Sequence, residues 1–235
     1  TGAGVEALVS DASGVAATIK TSDGKSGEHR FSHVIVAVGI VHNIENIGLE
    51  ALGVATERGR VTIDPYGRTN VPGLWAIGDV TGAPWLAHKA SHEGTICVEN
   101  IAGLHPHAMD ILNIPGCTYC RPQVASVGLT EAKAKEIHGD DAVEILEYNL
   151  GGNGKSSILG TSGSIKLVRV SDGPIVGVHM IGARMGEQVG EAQLIYNWEA
   201  LPSDVAQLIH AHPTQNEALG EAHLALAGKP LHAHS

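Results

Sequence analysis

The stretch His210-Ala211-His212-Pro213-Thr214-Gln215-Asn216-Glu217 lies where a loop gives way to the last helical pattern of the chain, 214–227. Thr214 followed three residues later by Glu217 reads as a capping box, in which hydroxyl and carboxylate take up unpaired N–H groups at a helix start. That much predicts a helix and no chemistry. The same residues also place an imidazole beside a proline, with a carboxylate one turn on to orient it, which is the arrangement general acid/base catalysis calls for. A cis His212–Pro213 bond is expected, because it would fix the direction of the imidazole before the helix begins. On the residues alone both readings, helix cap and acid/base pair, stay open.

Working outward, strand patterns at 124–127, 143–149, 164–170 and 175–181 alternate with turns, and helical patterns at 185–198 and 203–208 follow. Strands succeeded by helices predict an α+β layer with an antiparallel sheet and flanking helices. The His- and Pro-rich stretch 103–115 reads as a domain boundary. Before it, strands are expected at 5–9, 15–21 and 34–38, with a weakly helical connector at 44–52. Short strands are expected at 61–63 and 74–77, and a helix at 86–102. This first half is of α/β type.

The chain has 235 residues, 43% of them hydrophobic, which is enough for a packed core, and its 30 glycines suit tight turns and close helix–sheet packing. A net charge of -10, spread along the chain, argues against nucleic acid or an anionic membrane as a partner. No apolar run reaches the roughly 18–20 residues that span a bilayer. Three cysteines suit a reducing compartment, so a cytoplasmic location is expected.

The His-Pro-Thr-x-x-Glu pattern near the C-terminus resembles the signature of the pyridine nucleotide-disulfide oxidoreductases, and its His-Ala-His-Pro-Thr form is most similar to the dihydrolipoyl dehydrogenase family. The resemblance implies that His212 takes the proton from a dihydrolipoyl thiol, that Glu217 orients it, and that the pair reaches into the active site of the other subunit of a homodimer. His210 is as open to a structural role as to a catalytic one. A second stretch, Thr69-Asn70-Val71-Pro72-Gly73-Leu74-Trp75-Ala76-Ile77-Gly78-Asp79, reads as a short strand ending in a carboxylate able to bind sugar or ribityl hydroxyls. Continued by Ala83-Pro84-Trp85-Leu86-Ala87-His88-Lys89-Ala90, it resembles the family's second FAD-binding motif. In that case Gly78 permits close approach and Asp79 binds the ribityl chain. The N–H groups near Ala87 and His88, behind Leu86, face the flavin pyrimidine, where a reduced flavin gathers negative charge. Val34-Ile35-Val36-Ala37-Val38-Gly39 resembles the strand returning from the family's NAD domain, with Gly39 approaching the nicotinamide nucleotide. Where relatives often continue with Arg and Pro, this chain has Ile40-Val41-His42-Asn43.

The resemblance divides the chain into the end of a Rossmann-like NAD domain (1–36), the returning part of a Rossmann-like FAD domain (37–110) and an α+β dimerisation domain (111–235). It covers only about the last half of the family's usual length, and residue 1 is Thr. The chain is therefore expected to be a fragment without the N-terminal FAD fingerprint and the redox disulfide, inactive and free of FAD by itself. The parent would oxidise dihydrolipoyl groups with NAD through FAD, serving the lipoyl-bearing acyltransferase of a 2-oxoacid dehydrogenase complex. A glutathione or mercuric reductase type, or a non-catalytic dimerisation module, are the alternatives.

Other patterns carry less. Cys117-Thr118-Tyr119-Cys120 has metal or redox spacing but no second pair to complete a metal site, so no metal is expected. Gly151-Gly152-Asn153-Gly154-Lys155-Ser156 lacks the first glycine of a phosphate loop and reads as a loop. Gly182, Gly186 and Gly190 suggest a packing stripe, and His232-Ala233-His234 a solvated tail.

Overall fold

Alternation of apolar side chains builds the main sheet, and the computed structural model describes it within residues 1–233. The chain divides into two units, Thr1–Glu45 and the part from Asn46 onward.

In the first unit β1 (Gly4–Asp11), β2 (Gly14–Lys20) and β3 (Ser26–Phe31) form an antiparallel meander in that order. The sequence reading puts the third strand at 34–38, and the structure corrects it. β3 is polar and exposed along its length, so apolar periodicity does not mark it. Its register instead comes from the turn at Gly24 (φ 82°), closed by Thr21 N–H on the Lys25 carbonyl at 2.9 Å. Residues 34–38 form no strand, and Ile35 and Val38 are 89% and 94% exposed. Their composition suits a strand covered on both faces, and among the described residues no strand pairs with them.

In the second unit β4 (Thr56–Glu57) and β5 (Arg60–Val61) make a small hairpin. The connector at 44–52 is a series of turns and not a helix, because Asn46 (φ 60°) and Gly48 (φ 88°) are left-handed. Leu74–Ile77 is likewise no strand. Left-handed Gly73 (φ 84°) and Gly78 (φ 77°) bracket it, and a single bridge joins Arg68 to Trp75. Asp79 consequently lies in a 3-10 turn, Gly78–Thr81, and not at a strand end. The expected helix follows as α1 (Ala87–Ile101), with extended Leu86 at its N-cap.

The rest is a five-stranded antiparallel sheet flanked by helices. Its strands are β6 (Gly116–Thr118), β7 (Gln123–Gly128), β8 (Val143–Asn149), β9 (Ser164–Val170) and β10 (Ile175–Gly182), in the order β6-β7-β10-β9-β8. On one face Ala125, Val127, Tyr148, Ile165, Leu167, Val178 and Met180 meet α4 (Met185–Asn197), α5 (Pro202–Val205) and α6 (Asn216–Leu226). Each fully buried Leu, Ile or Met there contributes roughly 1.5–3 kcal/mol. On the other face Val168 and Leu129 pack with Ala134 of α2 (Glu131–His138), and Glu131 receives Lys135 at 2.7 Å and Lys166 at 3.0 Å.

Two glycines of the proposed packing stripe have neighbours that a side chain would strike. A Cβ at Gly182 would lie 2.6 Å from Leu150, and one at Gly186 would lie 2.8 Å from Cys117 Sγ. At Gly190 the space is open. Cys117 and Cys120 are free thiols.

His223 of α6 is fully buried and donates from Nδ1 to the Leu219 carbonyl at 2.7 Å. Burial pushes its pKa from 6.5 down to about 4. The folded value lies below the unfolded one, so its contribution to stability is complete above about pH 6.5 and declines as pH falls toward 4. Unfolding by urea between pH 6.5 and 4.5 should therefore show a stability loss that His223→Asn removes. An unchanged slope in the variant would refute the assignment.

Candidate active site

Around His212 the turn into α6 is held from several elements. Asn153 caps α3 (Gly154–Leu159) by accepting from Ser156 N–H at 2.9 Å, and its amide donates to the Thr214 carbonyl at 3.0 Å. Ser156 Oγ donates to Gln215 Oε1 at 2.8 Å, and Gln215 Nε2 donates to the Ala183 carbonyl at 3.1 Å. All three side chains are buried. The stretch 151–156, expected to be a loop, is thus a 3-10 turn and a short helix that anchor the site.

The His212–Pro213 bond is cis, as expected. His212 Nδ1 lies 2.8 Å from Glu217 Oε1, and Glu217 Oε2 accepts from Thr214 N–H at 2.7 Å. Only half of the expected capping box forms, since the Thr214 hydroxyl donates to the Ala211 carbonyl at 2.6 Å instead of accepting at the helix start. Burial pushes the Glu217 carboxyl up, but the Thr214 N–H and the imidazole outweigh it, and the group stays below its usual range. An ionised carboxylate only accepts, so Nδ1 of His212 carries the hydrogen, and in the neutral imidazole Nε2 presents the lone pair. His212 itself is 77% exposed, on the wall of a cavity of about 390 Å³.

His210 forms a second pair with Glu191 of α4, Nε2 to Oε1 at 2.8 Å, and Glu191 Oε2 accepts from Asn216 Nδ2 at 2.6 Å. The Glu191 hydrogen bond holds the His210 pKa above its ordinary value despite burial. Glu191 carries no motif and is invisible in sequence, because its partners lie 19 and 25 residues away.

A third carboxylate, Glu221, lies one turn beyond Glu217 and is buried. It accepts from the N–H groups of Leu231 (2.7 Å), His232 (2.5 Å) and Ala233 (2.9 Å). Burial raises its pKa, and these N–H groups more than reverse that. The tail expected to be solvated is therefore tied down through its backbone, with the His232 ring 71% exposed on the same cavity. His234 lies outside the described residues.

The other candidate residues of the second unit, Gly78, Asp79, Leu86, Ala87 and His88, lie in the turn before α1 and at its start. The first bond of the α1 ladder runs from Ala90 N–H to the Leu86 carbonyl at 3.1 Å, which leaves the N–H groups of Ala87 and His88 outside it. Asp79 is exposed in the 3-10 turn, and Gly78 is buried. Behind them Lys89 and Glu93 form a buried ion pair at 3.0 Å, 5% and 12% exposed. Lys89 also donates to Thr81 Oγ1 and the Gly82 carbonyl, while Glu93 Oε2 accepts from Gly78 N–H at 2.6 Å. Sequence reading missed this clamp, although Lys89 and Glu93 stand at i,i+4 spacing. Gly39 belongs to the first unit, at φ 131°. Among the described residues no group of three or more His, Cys, Asp or Glu side chains could hold a metal ion, and no helix is long and apolar enough to cross a membrane.

Comparison with known proteins fits this geometry. The pyridine nucleotide-disulphide oxidoreductase dimerisation domain matches residues 114–223, and the pyridine nucleotide-disulphide oxidoreductase family matches residues 1–94. The chain is 48% identical over 228 residues to a dihydrolipoyl dehydrogenase of Zymomonas mobilis, covering 96% of this chain and 48% of that protein. It is 46% identical over 236 residues to one of Rhizobium etli, covering 99% and 49%. It spans about half the length of the curated relatives it matches. Among solved structures, LpdA of Mycobacterium tuberculosis superposes with a TM-score of 0.83 at 24% identity, over 95% of this chain and 48% of that one. The flavoprotein disulfide reductase RclA of Escherichia coli gives 0.83 at 20%, over 94% and 50%. With both families matched along the chain and relatives near half identical across its length, the chain belongs to the pyridine nucleotide-disulphide oxidoreductases.

Proposed function

We propose that this chain carries the acid/base half of a cytoplasmic dihydrolipoyl dehydrogenase, an enzyme that oxidises dihydrolipoyl groups with NAD. The observation that carries the reading is the 2.8 Å pair between His212 Nδ1 and Glu217, which turns Nε2 outward as a base. Nε2 accepts a thiol proton, and Glu217 stabilises the imidazolium that results. The exposure of His212 suits a base that serves a site completed by a second subunit, so the working unit is a homodimer formed through 111–235, with His212 and Glu217 acting across the interface. Residues 1–36 and 37–110 are assigned to the ends of NAD and FAD domains. The partner is the lipoyl-bearing acyltransferase of a 2-oxoacid dehydrogenase complex.

The residues at the start of α1 fit an FAD. An exposed carboxylate at Asp79 suits a hydroxylated chain, buried left-handed Gly78 keeps the backbone open to it, and the N–H groups of Ala87 and His88 behind Leu86 suit an electron-rich ring edge. Gly39 is assigned to NAD. When bound, the flavin supplies electron transfer between thiols and nicotinamide. The chain's own part is to hold that group and to move the proton at His212 Nε2.

Placed behind the N-terminal half of the Zymomonas mobilis relative, the chain is expected to give a yellow dimer that turns over dihydrolipoamide with NAD and leaves glutathione disulfide unreduced. A folded yellow dimer that prefers glutathione would overturn the substrate assignment. A folded dimer inactive on both would overturn the enzyme reading.

A further inference from the structure

Among the described residues, Glu191 is the one side chain that hydrogen-bonds on both flanks of the His212–Glu217 pair. Its Oε1 takes the hydrogen of His210, two residues before His212, and its Oε2 takes one from Asn216, the residue before Glu217. The two arms leave the carboxylate at 2.8 and 2.6 Å, and Glu191 sits on α4, whose inner face is packed on the sheet. His210 is further confined by α6. A Cβ at Gly220 would lie 2.5 Å from its Nδ1, so only glycine lets the ring rest there. Resting on the acid/base reading above, we propose that Glu191 is a positioning residue that sets the register of the 210–213 loop against the first turn of α6, and so holds the His212 imidazole on the Glu217 carboxylate.

The physical need is plain. His212 is 77% exposed, and among the described residues its hydrogen-bond partner is Glu217. A single hydrogen bond to an exposed ring contributes little and does not fix a loop by itself. Asn153 and Gln215 hold the chain after Pro213, and a carboxylate whose two oxygens are each engaged by a different segment adds the constraint on the side of His210. Displacing reacting groups by about 1 Å can cost on the order of 100-fold in rate.

The test reads the His212 tautomer by imidazole 15N shifts in the 235-residue chain at a pH where His212 is neutral. The intact chain should show hydrogen on Nδ1. Glu191→Ala should move the shifts toward the Nε2–H form that an unheld imidazole prefers, and Glu191→Gln, which can still serve both arms, should restore them. Wild-type shifts in Glu191→Ala overturn the proposal. Should that variant fail to fold, His210→Ala and Asn216→Ala each remove one arm and should each move the shifts part way, and wild-type shifts in both overturn it. In the joined enzyme, Glu191→Ala should lower kcat about 10- to 100-fold, with Glu191→Gln recovering most of it. Full turnover in a His212→Gln variant would refute the acid/base reading but leave the 15N result standing, so the two can fail separately.

Discussion

Replacing His212 by Gln in the joined enzyme is expected to lower turnover of dihydrolipoamide on the order of 100- to 10,000-fold, the range removed with a general base. The fold should not notice. The side chain is 77% exposed and its hydrogen-bond partner is Glu217, which keeps the Thr214 N–H when the imidazole goes. Gln cannot take a proton at neutral pH, so the loss falls on kcat, while the binding of NAD through other residues is untouched. Glu217→Gln should cost less, because the base remains and only its orientation and the stabilisation of its cation weaken. Circular dichroism and kcat measured side by side decide the matter. Wild-type turnover in His212→Gln would mean that the pair is a helix cap and nothing more.

The second large effect is on stability. Lys89→Met should destabilise the segment that carries Gly78 and Asp79 by about 3–5 kcal/mol, since it strands the Glu93 carboxylate in a buried place. The Thr81 hydroxyl and the Gly82 carbonyl lose their donor in the same step. Changing both partners, Lys89→Met with Glu93→Leu, should recover part of the loss, because no unpaired charge then remains, although Gly78 N–H forfeits its acceptor. Denaturant unfolding and hydrogen exchange at residues 78–93 give the measurement. A Lys89→Met chain as stable as the parent would show that the pair does not clamp the turn.

Where the sequence could be read, a single physical pattern dominated. Strands 143–149 and 164–170 match the structure at both ends, since alternate side chains enter the main core while Val168, Val143 and Ile145 pack on the opposite face. β3 escaped because none of its residues is buried, and its partner is chosen by the turn before it. α2 escaped for a related reason. Of its eight residues only Ala134 is buried, and its charged pairs form within the helix and with Lys166. The short strand expected at 74–77 had apolar content but was undone by the left-handed glycines beside it. In the site, His212 and Glu217 were legible because both lie within one local motif. Glu191, Asn153 and Ser156 were not, since each acts across a gap in sequence that only the packed fold closes.

The grip of Glu221 on the last backbone amides bears on how the protein is handled at the bench. The N–H groups of Leu231, His232 and Ala233 hold a buried carboxylate in its ionised form, and trimming the chain after Gly228 would remove all three at once. Glu221 borders the same cavity as His212, so a protease nick in that tail would unpair a carboxylate beside the proposed base and leave the rest of the sequence intact. Preparations meant for kinetics should be checked by mass spectrometry for residues 229–233.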